Sequence, residues 1–444
     1  MGRRTGPRSV PGRGADVVHT GAVTGATARG AAPDTPPPGA AAAPLQLHPW
    51  RSRVVLGVVA ALGDVARAFG RVTAGASLAD QAGLSGTVLG AGLAVIRLSS
   101  LLALPLTGLA DRFGRRTMLL VSVTTGLVVT VASAVSPGYW WFVAVFALGR
   151  PFLSATSALA QVVAAEQTSS RGRATAVALV TAGYGIGAGL TAIVHSLASS
   201  SLGFRGTVAL AVLPLALVPA MARWVTEPDR FRVAQATRHH AVPVLGAIGA
   251  RYRRRLAVLV AIAFAVALMT GPADTFVFLY AQNVRHLSGG ATAAMVVGAG
   301  VTGLTGLLVG RWLADRVGRR PTGALGTVGI AVTATLAYSG STTALLVGYV
   351  LGVLAGAVLG PALGALVNEL FPTAVRASVA GWFLVAGVLG ASAGLVAFGA
   401  VADAGNRFGR AALVTILPVA LTAALFWCVP ETRGREPEDL WPSG

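Results

Sequence analysis

The sequence is short of charge. Only 11% of its 444 residues are charged, 54% are hydrophobic, and the mean hydropathy is +0.70. A soluble domain of this length cannot hide so much apolar surface, which excludes a water-soluble globule. Lysine is absent, so every basic residue is an arginine. Cysteine occurs once, at Cys428, which excludes an intrachain disulfide and a thiolate metal cage. No His–carboxylate spacing marks a metal site and no phosphate-cradling loop marks ATP use, so no metal or other cofactor is expected.

Apolar chain is what the sequence has in quantity. Residues 1–48 stand apart as an Ala/Gly/Pro/Arg-rich tail, exemplified by APDTPPPGAAAAP at 32–44, with no apolar period to form a core. Beyond them the chain breaks into stretches long enough for a bilayer core, which takes about 20 helical residues. Spans are expected near 53–75, 86–107, 117–135, 139–163, 174–196 and 206–225, then near 256–280, 290–311, 322–340, 344–367, 377–401 and 411–429. The 57 glycines suit close helix packing in lipid. The organisation expected is a six-helix bundle over 49–226, a cytoplasmic connection over 227–254, a second bundle over 255–430 and a cytoplasmic tail over 431–444.

Arginine placement orients the chain. With the N-terminus inside, roughly twenty arginines fall in inner segments and about four (Arg205, Arg285, Arg407 and Arg410) outside. This bias accounts for most of the net charge of +19 without a nucleic-acid partner. The expected location is the plasma (inner) membrane, multi-pass, with both termini cytoplasmic, and the expected state is a monomer in the lipid bilayer.

The two halves repeat. GLADRFGRR at 108–116 returns as WLADRVGRR at 312–320, so Asp111 and Asp315 are 204 residues apart. Glu166 and Arg173 follow the fourth span at the spacing that Glu369 and Arg376 keep after the tenth, and Trp224 and Trp427 close the sixth and twelfth. Several landmarks at nearly one offset predict an all-α membrane protein of twelve transmembrane helices in two parallel-repeat six-helix bundles.

The string Gly108-Leu-Ala-Asp111-Arg112-Phe-Gly114-Arg115-Arg116 resembles the loop between helices 2 and 3 of the major facilitator superfamily. Its copy carries Asp315, Arg316, Gly318, Arg319 and Arg320, with Trp312 in place of the first glycine. Glu227-Pro-Asp-Arg230 and Pro430-Glu-Thr-Arg-Gly-Arg435 are similar to the sugar-porter signatures of those places, and Glu369-Leu-Phe-Pro-Thr-Ala-Val-Arg376 to the helix 10–11 loop of sugar porters and metabolite–proton symporters. The resemblance covers residues 49–435. It implies the major facilitator fold and a gating role for these loops.

The physical reading of the loops is parallel. Gly108 removes a side chain where two helices can touch. Glu166 and Glu369 lie within reach of Arg112 or Arg115 and of Arg316 or Arg319. Such clusters are expected only when the inner helix ends come together, and so to favour an outward-open state.

Charges at bilayer depth face a cavity or a partner. Asp64 sits mid-span with Arg67 one turn on, so it is either the proton carrier or half of a fixed Asp64–Arg67 pair. Asp274, just after Gly271-Pro272 where the helix is expected to bend, is a second carrier or a polar cap. Arg97 and Arg150 leave the mid-membrane charge positive, which suits an organic anion, although Arg97 alternatively neutralises Asp64 or serves packing. FALGRPFLSA around Arg150 resembles the helix-4 arginine motif of proton-coupled members. Tyr184, Tyr280, Gln282, Asn283 and Trp382 are candidate pocket contacts, each with packing or interfacial anchoring as the alternative.

The function expected is secondary transport of a small-molecule solute by alternating access, led by proton-coupled uptake, with proton-driven efflux of a drug or secondary metabolite as the alternative and a non-transporting sensor as the rival from another class. Span seven lacks the paired glutamines that the resemblance associates with hexoses, and span five lacks the Gly-Pro of the antiporter motif. The repeat carries its own test. Impermeant labels directed at 108–116 and 312–320 will react from one face of the membrane, and reaction from opposite faces removes the parallel repeat.

Overall fold

The computed structural model describes residues 84–166, 205–227, 249–404 and 407–435, with single positions between 180 and 203. The expected spans one and, for the most part, five lie outside these residues, as do Asp64, Arg67, Arg173, Tyr184 and the side chains of Asp111 and Glu166.

The ordered elements described are helical. The first described span is α1 (Gly86–Ser99), which passes through a 3-10 turn at Ser100–Leu102 into α2 (Ala103–Phe113). Pro105 has no N–H for the Leu101 carbonyl, and the Ser99 and Ser100 hydroxyls turn back onto Ile96 and Arg97 carbonyls at this tightening. Then come α3 (Arg115–Ala132), α4 (Tyr139–Glu166) and α5 (Val212–Ala222). The second half has α6 (Ala250–Leu279), α7 (Gly289–Arg316), α8 (Arg319–Ala337), α9 (Thr342–Glu369), α10 (Thr373–Asp403) and α11 (Phe408–Thr415), the last continued as a 3-10 segment over Leu417–Cys428. Among the described residues, eight helical stretches are long and apolar enough to cross a membrane.

Prolines explain the departures from the expected spans. The sixth span is not continuous over 206–225: the chain turns at Leu210–Ala211, because Pro214 withholds the N–H that the Leu210 carbonyl would take, and Leu213 N–H takes that carbonyl instead. Pro418 has the same effect after Thr415. At Pro272 the outcome is reversed. Helix α6 continues through it, and the irregularity appears later as a π turn at Tyr280–Val284.

Glycines set the helix pairs. In the second half, α10 lies on α6 through Gly390 and Gly394, whose missing side chains admit the Phe264 and Leu268 carbonyls. Leu268 is the residue whose carbonyl Pro272 leaves without its helical N–H, so the bare Gly394 backbone covers it. Gly306 and Gly310 of α7 meet α9 at the Leu354 and Val358 carbonyls in the same way. The opposite face of α10 meets α1 of the other half: Gly399 lies on the Gly86 carbonyl, Gly90 on the Leu395 carbonyl, and the Ser392 hydroxyl reaches the Ala94 carbonyl at 3.4 Å. All these inter-half contacts lie toward the end of the bundle remote from the 108–116 and 312–320 loops. Toward the loop end, apart from its own helix, no atom of the described residues lies within 4 Å of where a side chain on Gly108 would begin.

Two substitutions separate these environments. Gly394→Ala drives a methyl into backbone and is expected to destabilise by roughly 1–3 kcal/mol. Gly360→Ala, on an open stretch of α9, is expected to be neutral or to stabilise by up to about 1 kcal/mol through helix propensity. Thermal unfolding of the two variants in detergent checks the contrast.

Candidate functional site: loop clasps and interior charges

The repeated loops form two matching clasps. Gly114 has φ +97° and Gly318 φ +128°, a left-handed region that disfavours any side chain. Each turn delivers the next helix start to a carboxylate. Arg115 and Arg116 N–H groups donate to the two oxygens of Glu227 at 2.6 and 3.0 Å, and Arg319 and Arg320 N–H groups donate to Glu431 at 2.9 and 3.0 Å. Glu227 and Glu431 are again 204 residues apart. The second arginine of each pair closes the ring. Arg116 donates to the Val225 and Ala222 carbonyls at 2.7 and 2.8 Å, and Arg320 to Phe426 and Trp427 at 3.1 and 2.8 Å. Each clasp thus ties the start of the third helix of its half to the end of the sixth, satisfying orphan helix ends with full charges.

A methyl on Gly318 would lie 2.7 Å from a Glu431 oxygen, so this glycine is required by its backbone and by its neighbour alike. Burial pushes the Glu431 carboxyl up. The amides of Arg320, Arg319, Arg433 and Thr432 outweigh that effect and hold it below the ordinary glutamate range.

Arg319 also reaches Glu369 at 3.3 Å and Asp315 at 3.4 Å, joining the ends of α7 and α9 within the second half. Arg319 and Glu369 belong to the same half, as do the partners within each clasp, so these bonds do not themselves link the two halves. The Glu166 side chain of the other expected cluster lies outside the described residues. Arg376 donates to the Phe371 carbonyl at 3.4 Å. Arg112 and Arg316 lie over their neighbours Phe113 and Trp312.

Among the interior candidates, Arg150 is 8% exposed in mid-α4, immediately before Pro151. Arg97 is half-buried in α1. Asp274 is exposed on α6, and Gln282 and Asn283 are half-buried in the π turn. Tyr280 lies at 4% exposure between the rings of Tyr338 and Phe408, 5.2 and 5.3 Å away, so its surroundings are a packed aromatic cluster. Trp382 is exposed on α10. The structure brings the loop residues together; of the interior residues, Asp274, Tyr280, Gln282 and Asn283 share α6 and its π turn, and Arg97, Arg150 and Trp382 stand on α1, α4 and α10. Among the described residues, no group of three His, Cys, Asp or Glu is placed to hold a metal ion.

Sequence reasoning did not count Glu227 and Glu431 among the site residues. Their shared offset with the two arginine pairs was the available signal.

A helical bundle with eight apolar stretches of membrane length among the described residues, a small-residue seam between its halves and a repeated clasp at the loop end fits a membrane transporter. The comparisons agree. The family model for Major Facilitator Superfamily matches residues 52–313, and that for Sugar (and other) transporter matches residues 218–440. The chain belongs to the major facilitator superfamily. It is 26% identical over 344 residues to a probable 4-methylmuconolactone transporter of Cupriavidus pinatubonensis, covering 75% of this chain and 79% of the relative. It is 25% identical over 389 residues to a gallate transporter of Pseudomonas putida, covering 78% and 84%. The inward open conformation of the xylose transporter XylE from E. coli shares the fold with a TM-score of 0.69 at 21% identity, over 88% of this chain and 98% of that one.

Clasp chemistry sets a pH dependence. Because the Glu431 value is lowered on folding, its contribution is complete above the unfolded value of about 4.3 and is lost as pH falls through the lower folded value. Glu431→Gln is expected to lower the unfolding midpoint at neutral pH by a few degrees, and the gap from wild type should close only below pH of about 4. A gap that is constant across that range contradicts the clasp.

Proposed function

We propose that this transporter imports a small organic anion together with protons, by rocking its two six-helix halves about a central site at mid-membrane depth. The arginine bias supports a cytoplasmic loop end, and on that assignment the seam at the far end corresponds to an inward-facing state. The observation that carries the anion is Arg150, a permanent charge held at 8% exposure in the middle of a membrane helix. Two relatives named for gallate and 4-methylmuconolactone support carboxylates and lactones of small rings as the solute class. A hexose is disfavoured by the missing paired glutamines of span seven. Asp64 is the proposed proton carrier, with Asp274 second. Arg97, Gln282 and Trp382 are secondary candidates for solute contact. The protein acts as a monomer in the plasma membrane.

Proteoliposomes with an inward proton gradient test this reading. Gallate or a related hydroxybenzoate is expected to accumulate and xylose is not. Arg150→Ala should reduce anion uptake by about 10–100-fold, the worth of one charge-assisted contact. Asp64→Asn should abolish gradient-driven accumulation while preserving exchange at equal concentrations. Export of lipophilic cations with no uptake assigns the efflux function instead, and undiminished accumulation by Asp64→Asn removes Asp64 as the carrier.

A further inference from the structure

We propose that Asp403 is the latch that holds the end of the bundle remote from the loops shut, and that transport requires it to release. This rests on the alternating-access reading above and assigns the residue that controls one of its two gates.

Asp403 is the last residue of α10, in the second half, yet its carboxylate is committed to the first half. One oxygen accepts from the Gly86 N–H at 2.5 Å. The other accepts from the Thr87 N–H at 2.7 Å and from the Thr87 hydroxyl at 2.6 Å. Helix α1 does not need this carboxylate in order to start, because Ser85 supplies a local cap by accepting from the Val88 N–H at 3.3 Å. Two further first-turn N–H groups remain, and the other half of the protein supplies their acceptor.

The rest of the seam has a different character. Gly90, Gly399 and Leu395 give close but smooth backbone contact, and the Ser392–Ala94 hydrogen bond is long at 3.4 Å. Smooth surfaces of this kind slide and part at low cost. Directional charge-assisted hydrogen bonds do not. Asp403 concentrates them at the exposed rim, where separation of the halves at that end must break them. The positions 203 and 204 residues before Asp403 are Ser200 and Ser199, so the repeat does not carry this carboxylate at the equivalent place in the first half, and α7 starts on its local Ser288 cap.

The test uses the full chain in nanodiscs without solute. In a Cys428→Ser background, spin labels are placed at Val135 and Ser339, exposed positions at the remote end of the first and second halves. Wild type is expected to show a short inter-half distance. Asp403→Ala should move the ratio of open to closed at that end by about tenfold, equivalent to about 1.4 kcal/mol. Asp403→Asn, which keeps one acceptor, should fall between, and Thr87→Val, which removes the hydroxyl alone, should shift the ratio least. An unchanged distance distribution in Asp403→Ala overturns the latch. If that variant does not fold, Asp403→Asn decides by the same criterion. A protein that shows the graded shift but moves no hydroxybenzoate keeps the latch and removes the solute assignment.

Discussion

A helix that begins at a membrane face leaves its first N–H groups without partners, and lipid offers none. The rest of this structure depends on how the chain answers that constraint. Among the described residues it uses one device three times: a carboxylate from a distant segment held over a helix start. Glu227 covers Arg115 and Arg116, Glu431 covers Arg319 and Arg320, and Asp403 covers Gly86 and Thr87. The first two connect elements of one half and make each half a body that moves as a unit. The third connects the halves and acts only while they are together at that end.

The glycines serve the same division of labour. Within the second half, Gly390 and Gly394 bring α10 onto bare carbonyls of α6, and Gly306 and Gly310 do so for α7 and α9. Between the halves, Gly90 and Gly399 make a comparable surface, but it runs along one pair of helices and ends at the latch. Gly108, in the repeated string, meets none of the described residues beyond its own helix within 4 Å.

The fold was legible in the sequence because lipid imposes a coarse code. Apolar length gave the spans, and the 204-residue offset gave the repeat. The interruptions were less legible. Pro214 and Pro418 end or tighten their helices, whereas Pro151, Pro219, Pro272 and Pro361 lie inside unbroken ones. At Pro272 the carbonyl left without its helical partner is covered by a bare glycine of α10, a neighbour more than a hundred residues away. The clasps were half legible. The glycines and arginines announced themselves by repetition, and Glu369 was placed within reach of Arg319, where it is found. Glu227 and Glu431, where the chain re-enters from the last span of each half, were not recognised as the acceptors of the backbone N–H groups. Asp403 left no trace at all, since a lone carboxylate at the end of a span reads as a boundary. Its role comes from what the other half brings to it.

The central claim is that two internally clasped halves exchange closure between the two ends of the bundle. Spin labels at Phe113 and Val317, equivalent and exposed positions in the two repeated loops, measure it most directly. With a saturating transported anion and a proton gradient, the distance between them should shorten as the remote end opens, while distances within each half hold constant. A loop-end distance that is indifferent to the remote end, or a change confined to one half, contradicts the account.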